Sequence, residues 1–415
     1  MGVLRSSETA LAQSLLTARA VRERAHEMLA LGKAGALAHW RVDGTKLDHV
    51  AAYVLETMRL NYPSLDIPFH ARWRHFAAGG VDRWAKLASR APWPDLASRA
   101  RSAFDLAIVS VLLDAGAGPD WHYRTEDGSC FSRSEGLALA SFEMFANGAF
   151  SADPYEKLRV DASRLLSIDT ATIAKAFQVS ASNPLVGLEG RAALLQTLGR
   201  ELLAAPKIFA PNDRARPGGL FDHLTCLGAP ARRIEASAIL SAVLTHLGPI
   251  WPSRLSLAGV ALGDCWRHPA LRRDDATNGL VPFHKLSQWL SYSLIEPLRD
   301  AGLGVVDVDG LTGLPEYRNG GLFMDLGVIS LKTEQDVKVP HEVASELVVE
   351  WRALTVALLD ETAGLIRGTF GVDSAALPLA KVLEGGTWAA GRRIARERRV
   401  DGSPPLTVRS DGTVF

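Results

Sequence analysis

A mainly α-helical, compact fold with a few short strands is predicted for this chain of 415 residues, on two observations. Apolar residues recur at three- and four-residue spacing along most of the chain, and strict two-residue alternation is rare. Glycine and proline gather in isolated clusters, Arg216-Pro217-Gly218-Gly219, Asn319-Gly320-Gly321 and Glu384-Gly385-Gly386, which read as single turns rather than linkers. There is no internal repeat or low-complexity tract, so the expected organisation is an N-terminal helical extension over residues 1–28 and one compact catalytic unit over 29–415.

The elements follow in order. The block Phe69 to Phe76, if extended, places His70, Arg72 and Arg74 on one side and Phe69, Ala71 and Trp73 on the other. A largely apolar helix is expected from Ala100 to Leu113, broken by the Asp-Ala-Gly-Ala-Gly run that Asp114 opens. Short strands are expected between Trp121 and Ser129 around a hairpin turn at Glu126, Asp127 and Gly128. From about Pro282 to Asp300 a helix is predicted with Leu286, Trp289, Leu290, Leu294 and Leu298 on its buried side, Pro282 in its first turn and Pro297 kinking or ending its last. His284, Gln288 and Tyr292 form a polar stripe along it at four-residue spacing. Another helix is expected from His341 to Gly368, where Leu347, Trp351, Leu354 and Leu358 share a side and Gly368 supplies a stop.

Composition narrows the function. At 47% hydrophobic and 22% charged the chain is ordinary globular material, and 46 basic residues balance 46 acidic ones. A zero formal charge offers no bulk field for a polyanion, so a small-molecule partner is expected and nucleic acid is not. Cys130, Cys226 and Cys265 form an odd set without a C-x-x-C, against a disulfide framework or a zinc knuckle. Arg5, Glu8, Arg19, Arg22, Glu23, Arg24 and Glu27 interrupt the first thirty residues, so no signal peptide, no membrane span and a cytoplasmic location are expected.

The common signatures are absent: no P-loop, no G-x-S-x-G and no H-E-x-x-H occurs, and after Gly116 and Gly118 the run Pro119-Asp120-Trp121 stands where a dinucleotide fingerprint needs its third glycine. His70 and His75 are five apart, off helical register, so no metal and no cofactor are expected. Two guanidinium forks, Arg72 and Arg74, beside His70 suit a phosphomonoester, and equally suit structural carboxylates. The run Leu311-Thr312-Gly313-Leu314-Pro315-Glu316-Tyr317-Arg318-Asn319 holds one acid among turn-formers. Glu316 is placed either to fix the turn with Arg318 or to project into a pocket as an anionic catalyst.

The blocks FHARWRHF, LLDAGAGPDWHY, RSEGLALAS, FQVSASNPLVGLEGR, PFHKLSQWLSYSLIEP, LTGLPEYRNGGL, VEWRALTVALLD, LEGGTWAAGR and SDGTVF, from about Leu29 to Phe415, resemble the uracil-catabolism family of bacteria and fungi, a domain of unknown function. The resemblance implies a uracil-degrading route through ribosylurea, alongside uracil phosphoribosyltransferase and a cyclohydrolase-like ring opener. The block order is also similar to that of the queuosine-5'-phosphate glycosidase family, whose fold is similar to helical DNA glycosylases. Its K-R-A-Q, L-T-M-F-A-D-Y-R and E-I-R-A patterns match Lys285-Leu286-Ser287-Gln288, Leu311 to Arg318, and Glu350-Trp351-Arg352-Ala353. Its catalytic aspartate falls on Glu316, with Tyr317 and Arg318 retained. Its G-Y-W-S falls near Arg133-Ser134-Glu135-Gly136, where the aromatic pair is missing.

These resemblances imply an N-ribosyl hydrolase that cleaves a ribosylurea-type, phosphorylated ribosyl substrate. A fixed carboxylate, Glu316, would stabilise the positive charge that builds on the sugar. A departing urea needs a proton donor, for which Asp264 and His284 are the candidates, Asp264 being equally suited to capping a helix or binding sugar hydroxyls. His70, Arg72, Arg74, Asp114, Trp121, Glu135, Gln288, Tyr317, Arg318, Glu350 and Arg352 are the substrate-binding candidates. A C–N hydrolase acting on a ring-opened pyrimidine nucleotide and a non-catalytic scaffold of the same pathway are the alternatives. The terminal SDGTVF is expected to fold back onto the body.

Overall fold

The computed structural model describes residues 2–114, 116–211, 214–251 and 254–409, which are mainly helical with short, two-stranded sheets; the terminal SDGTVF lies outside the described residues. The chain divides into two compact units. The first gathers Met1–His70, Pro252–Gln288 and Asp307–Phe415, and the second gathers Ala71–Trp251 and Trp289–Val306. No described helix is long and apolar enough to cross a membrane.

In the first unit the backbone is the helix Glu346–Phe370. It starts later than its periodicity predicts because His341–Glu342 is a strand, paired in parallel with Val408–Arg409, and because the Ser345 hydroxyl accepts from Val348 N. It also runs past Gly368 and stops at Gly371, whose φ of 66° is the left-handed conformation that ends helices. Its buried side, including Leu347, Leu354 and Leu358, packs against the helix Ala18–Lys33, which Thr17 caps through Ala20 N. Trp351 stacks on Trp40 with centroids 6.3 Å apart, and the Trp40 indole donates to Leu347 O at 2.9 Å. The strand Trp40–Val42 pairs antiparallel with Ile329–Leu331. A smaller cluster of Ala12, Leu15, Leu262, Cys265 and Leu280 places the helix Gly2–Leu15 within this unit's core.

The helix Lys285–Asp300 begins in the first unit and continues in the second. Pro282 is not in its first turn: it ends the strand Leu280–Pro282, opposite Cys265 of the antiparallel strand Cys265–Arg267. Nor does Pro297 end it. Proline removes the N–H that would bond Ser293 O, and the Trp73 indole supplies a replacement donor to that carbonyl at 2.7 Å.

In the second unit the apolar helix spans Leu96–Leu112, begun by Asp95, whose carboxylate accepts from Ser98 N. The predicted hairpin is present as His122–Arg124 paired with Cys130–Ser132, and Gly128 carries the positive φ (83°) of its turn. The block at 69–76 is not extended: Arg72–Phe76 is a helical turn that follows an extended Ala71. Six residues alternating in polarity, Phe69 to Arg74, are too few to separate the two periods, and successive side chains here turn by about 100° instead of 180°. The single-sided array of His70, Arg72 and Arg74 is therefore not formed.

Candidate active site

The site is built in the first unit from Leu311 to Asn319. Leu311 to Pro315 are buried, and Gln288 holds Thr312 on both sides: its Oε1 accepts from Thr312 N at 2.8 Å and its Nε2 donates to Thr312 Oγ1 at 2.5 Å. Glu316, with φ −117° and ψ 164°, then caps the helix Tyr317–Asp325. One carboxylate oxygen accepts from Arg318 N at 2.7 Å and the other from Asn319 N at 2.6 Å. That helix is pinned on several sides. Asn319 Nδ2 donates to Leu314 O at 3.1 Å, Arg318 Nη1 donates to Gly402 O at 2.8 Å, and Gly320 lets Trp351 lie so close that a Cβ would sit 2.6 Å from its ring.

Electrically the Glu316 carboxyl is pulled both ways. Burial pushes its pKa above the usual glutamate value, while the two backbone N–H groups and the Lys285 and Arg318 cations pull it back. The positive end of the helix dipole adds to the cations' side. The outcome is a half-buried carboxylate fixed in one orientation, with each oxygen spending one lone pair on the backbone.

Asp264 is buried among donors. Its two oxygens accept from Arg352 Nη1 and Nη2, both at 2.8 Å, while Trp266 Nε1 donates to Oδ1 at 2.7 Å and Lys285 N to Oδ2 at 3.0 Å. Burial alone would raise its pKa, but the Arg352 charge and these donors hold it at about 2. An acid ionised at neutral pH has no proton to give, so Asp264 matches the capping reading: it starts the helix that carries Lys285. His284 does not offer a proton either. Its φ is 49°, its Nε2–H is spent on Leu15 O at 2.9 Å, and burial lowers its pKa, which leaves Nδ1 as an acceptor with no hydrogen-bond partner. Both corrections have one cause, a partner far away in the sequence.

Other candidates are also committed to structure. Glu350 is buried and accepts from Ala38 N at 2.9 Å, His39 N at 3.0 Å and His268 Nε2 at 3.2 Å; burial would raise its pKa, but these donors keep it below the usual range. Arg352 pairs with Asp264, its guanidinium 4.1 Å from the centroid of the Phe283 ring. Tyr317 is half-buried beneath the Arg318 guanidinium, 5.0 Å away. His70 Nδ1 meets Glu384 at 2.7 Å, a carboxylate that sequence reasoning did not single out, presented by a π-helical turn at Leu383–Thr387.

The second unit holds the rest. Arg72 is fully buried, with Nε on Ser110 Oγ (2.8 Å), Nη1 on Asp114 (2.7 Å) and Ser134 O (3.2 Å), and Nη2 on Ser110 O (3.3 Å). Arg74 pairs with Glu296 at 2.6 Å. Arg72 directs its donors at protein acceptors, whereas Arg74 bonds Glu296 through Nη2 and leaves its buried Nε without a partner among the described residues. Trp121 is core, its indole donating to Phe177 O at 3.0 Å, and Glu135 lies in the first turn of Arg133–Ala146, where its charge acts on Arg72. Lys285 was missed as a functional residue, although it opens the K-x-x-Q block; its effect on Glu316 depends on a 31-residue separation that no local pattern encodes. Among the described residues no group of three or more His, Cys, Asp or Glu side chains could hold a metal ion.

This mainly helical chain matches a known family along almost its entire length. It belongs to the family described as protein of unknown function (DUF1688), whose model matches residues 14–415. It is similar to Protein urg3 of Schizosaccharomyces pombe, 37% identical over 410 residues that cover 97% of this chain and 98% of the relative. It is also similar to Uracil catabolism protein 4 of Lachancea kluyveri, 37% identical over 411 residues that cover 91% and 92%.

Proposed function

We propose that this protein acts in uracil degradation as an N-ribosyl hydrolase on a ribosylurea-type intermediate. The pathway is taken from one relative, Uracil catabolism protein 4, at 37% identity. The reaction rests on one observation, the Glu316 carboxylate fixed by two backbone N–H groups at a helix start.

As the bond from C1′ to the ureido nitrogen lengthens, the sugar becomes an oxocarbenium-like cation. A carboxylate already oriented stabilises it without reorganising, either by adding at C1′ or by holding the attacking water. The departing nitrogen takes up a proton. Lys285, the cation acting on Glu316, is assigned here as the donor, since Asp264 is ionised and His284 has its only N–H engaged. Asp264 and Arg352 are positioning residues that act through the start of the Lys285 helix.

The test is to incubate the purified chain with ribosylurea 5-phosphate and with ribosylurea, and to follow release of ribose 5-phosphate or ribose with urea. Turnover that falls about 100- to 1,000-fold in Glu316→Gln supports the assignment. Ammonia release with the glycosidic bond intact indicates a C–N hydrolase, and binding without turnover indicates a scaffold; either overturns it.

A further inference from the structure

The second unit contains a cavity of about 510 Å³ that none of the candidate site residues lines; Trp93, Ser98, Arg101, Tyr155, Lys157 and Arg216 are among those lining it. Its volume is in the range of small-molecule sites. We propose that it binds a phosphate monoester carrying a flat, largely apolar body, of the size of a nucleoside monophosphate.

Two arginines carry the argument because each is clamped along one edge, Arg101 by Asp222, which lines the cavity as Glu156 does, and Arg216 by Asp105. Arg101 places Nε and Nη2 on Asp222, with contacts of 2.8 to 3.1 Å. Arg216 places Nε and Nη2 on Asp105 Oδ2 at 3.1 and 2.6 Å, and Asp105 is itself fully buried and fixed by Val160 N at 2.9 Å and Gly218 N at 2.6 Å. In both guanidinium groups the Nη1 makes no hydrogen bond among the described residues, and both side chains line the cavity. A guanidinium clamped along one edge has already lost its rotamer freedom, so its remaining N–H groups can accept an anion at little further entropic cost. Lys157 adds an exposed ammonium with no ion pair among the described residues.

The carboxylates neutralise much of the arginine charge, so recognition here is directional rather than long-range, and a tetrahedral anion with three free oxygens matches three separate donors. Pro92, Trp93 and Pro94 form the apolar wall for the rest of the ligand, and Tyr155, 95% exposed, stands at the rim.

The experiment is calorimetric titration of the full chain with uridine 5′-monophosphate, inorganic phosphate and uridine. Ser98→Glu is the central variant. Ser98 occupies the third helical position after the Asp95 cap, where glutamate suits the helix, and it brings an anion into the cavity without touching either arginine. Arg216→Gln is the second. The proposal expects the nucleotide to bind more tightly than phosphate and uridine not to bind. It expects each variant to weaken the nucleotide at least about tenfold, Ser98→Glu at unchanged melting temperature and Arg216→Gln at a lowered one because buried Asp105 loses its partner, and Glu316→Gln to leave binding as it was. No nucleotide binding, binding indifferent to both substitutions, or binding abolished only by Glu316→Gln would overturn it, the last placing the ligand at Glu316 instead.

Discussion

At the scale of single residues, the side chains around Glu316 divide the work by charge state. The Glu316 carboxyl is raised above its ordinary value of 4.5, so activity that needs its anion declines as pH falls through a point above 4.5. Lys285→Met removes a cation that pulls this value down, and a pH–rate profile of that variant is expected to show the acid limb displaced further upward. Glu316→Gln keeps an acceptor at the helix start, so its melting temperature should change by no more than the loss of about 1 kcal/mol allows. Asp264 behaves oppositely. Its folded pKa of about 2 lies below the ordinary 3.8, so its stabilising contribution is complete above 3.8 and is lost as pH falls toward 2. Arg352→Met leaves the buried Asp264 anion without its partner and is expected to cost about 3–5 kcal/mol in denaturant unfolding. Near-native stability in that variant would show the pair to be dispensable.

At the scale of elements, what each helix needs at its ends determines how far it can be read from the sequence. The body of Lys285–Asp300 is visible in its leucines and tryptophan, but its start is set by an acid 21 residues upstream and its survival past Pro297 by an indole 220 residues away. Trp73→Phe strips that donor from Ser293 O, and the buried carbonyl left behind is expected to cost about 1–3 kcal/mol, with hydrogen exchange fastest in the final turn. Gly320 is equally committed: alanine there meets Trp351, and about 1–3 kcal/mol of overpacking should appear as a lower unfolding midpoint. Of the candidate site, the acid in the turn before Tyr317 is legible because its capping partners are its immediate neighbours. The Asp264–Arg352 pair, 88 residues apart, and the engagement of Arg72 with Asp114, 42 apart, are long-range pairings that spacing rules do not reach.

At the scale of the whole molecule, the balanced charge and an isoelectric point near 7.2 put minimum net charge at neutral pH. Solubility measured across pH is expected to pass through its minimum there and to recover on either side. The first unit also has a consequence for biosynthesis. Its loop at Ala38 and His39 is tied down by Glu350, and its strand at Trp40 finds a partner only at Leu331. A ribosome therefore releases almost all of the second unit, residues 71–251, before those contacts are available. Until translation passes residue 350, the earliest-made helices emerge without the surfaces that cover them, and cellular chaperones have their longest opportunity at the amino-terminal end.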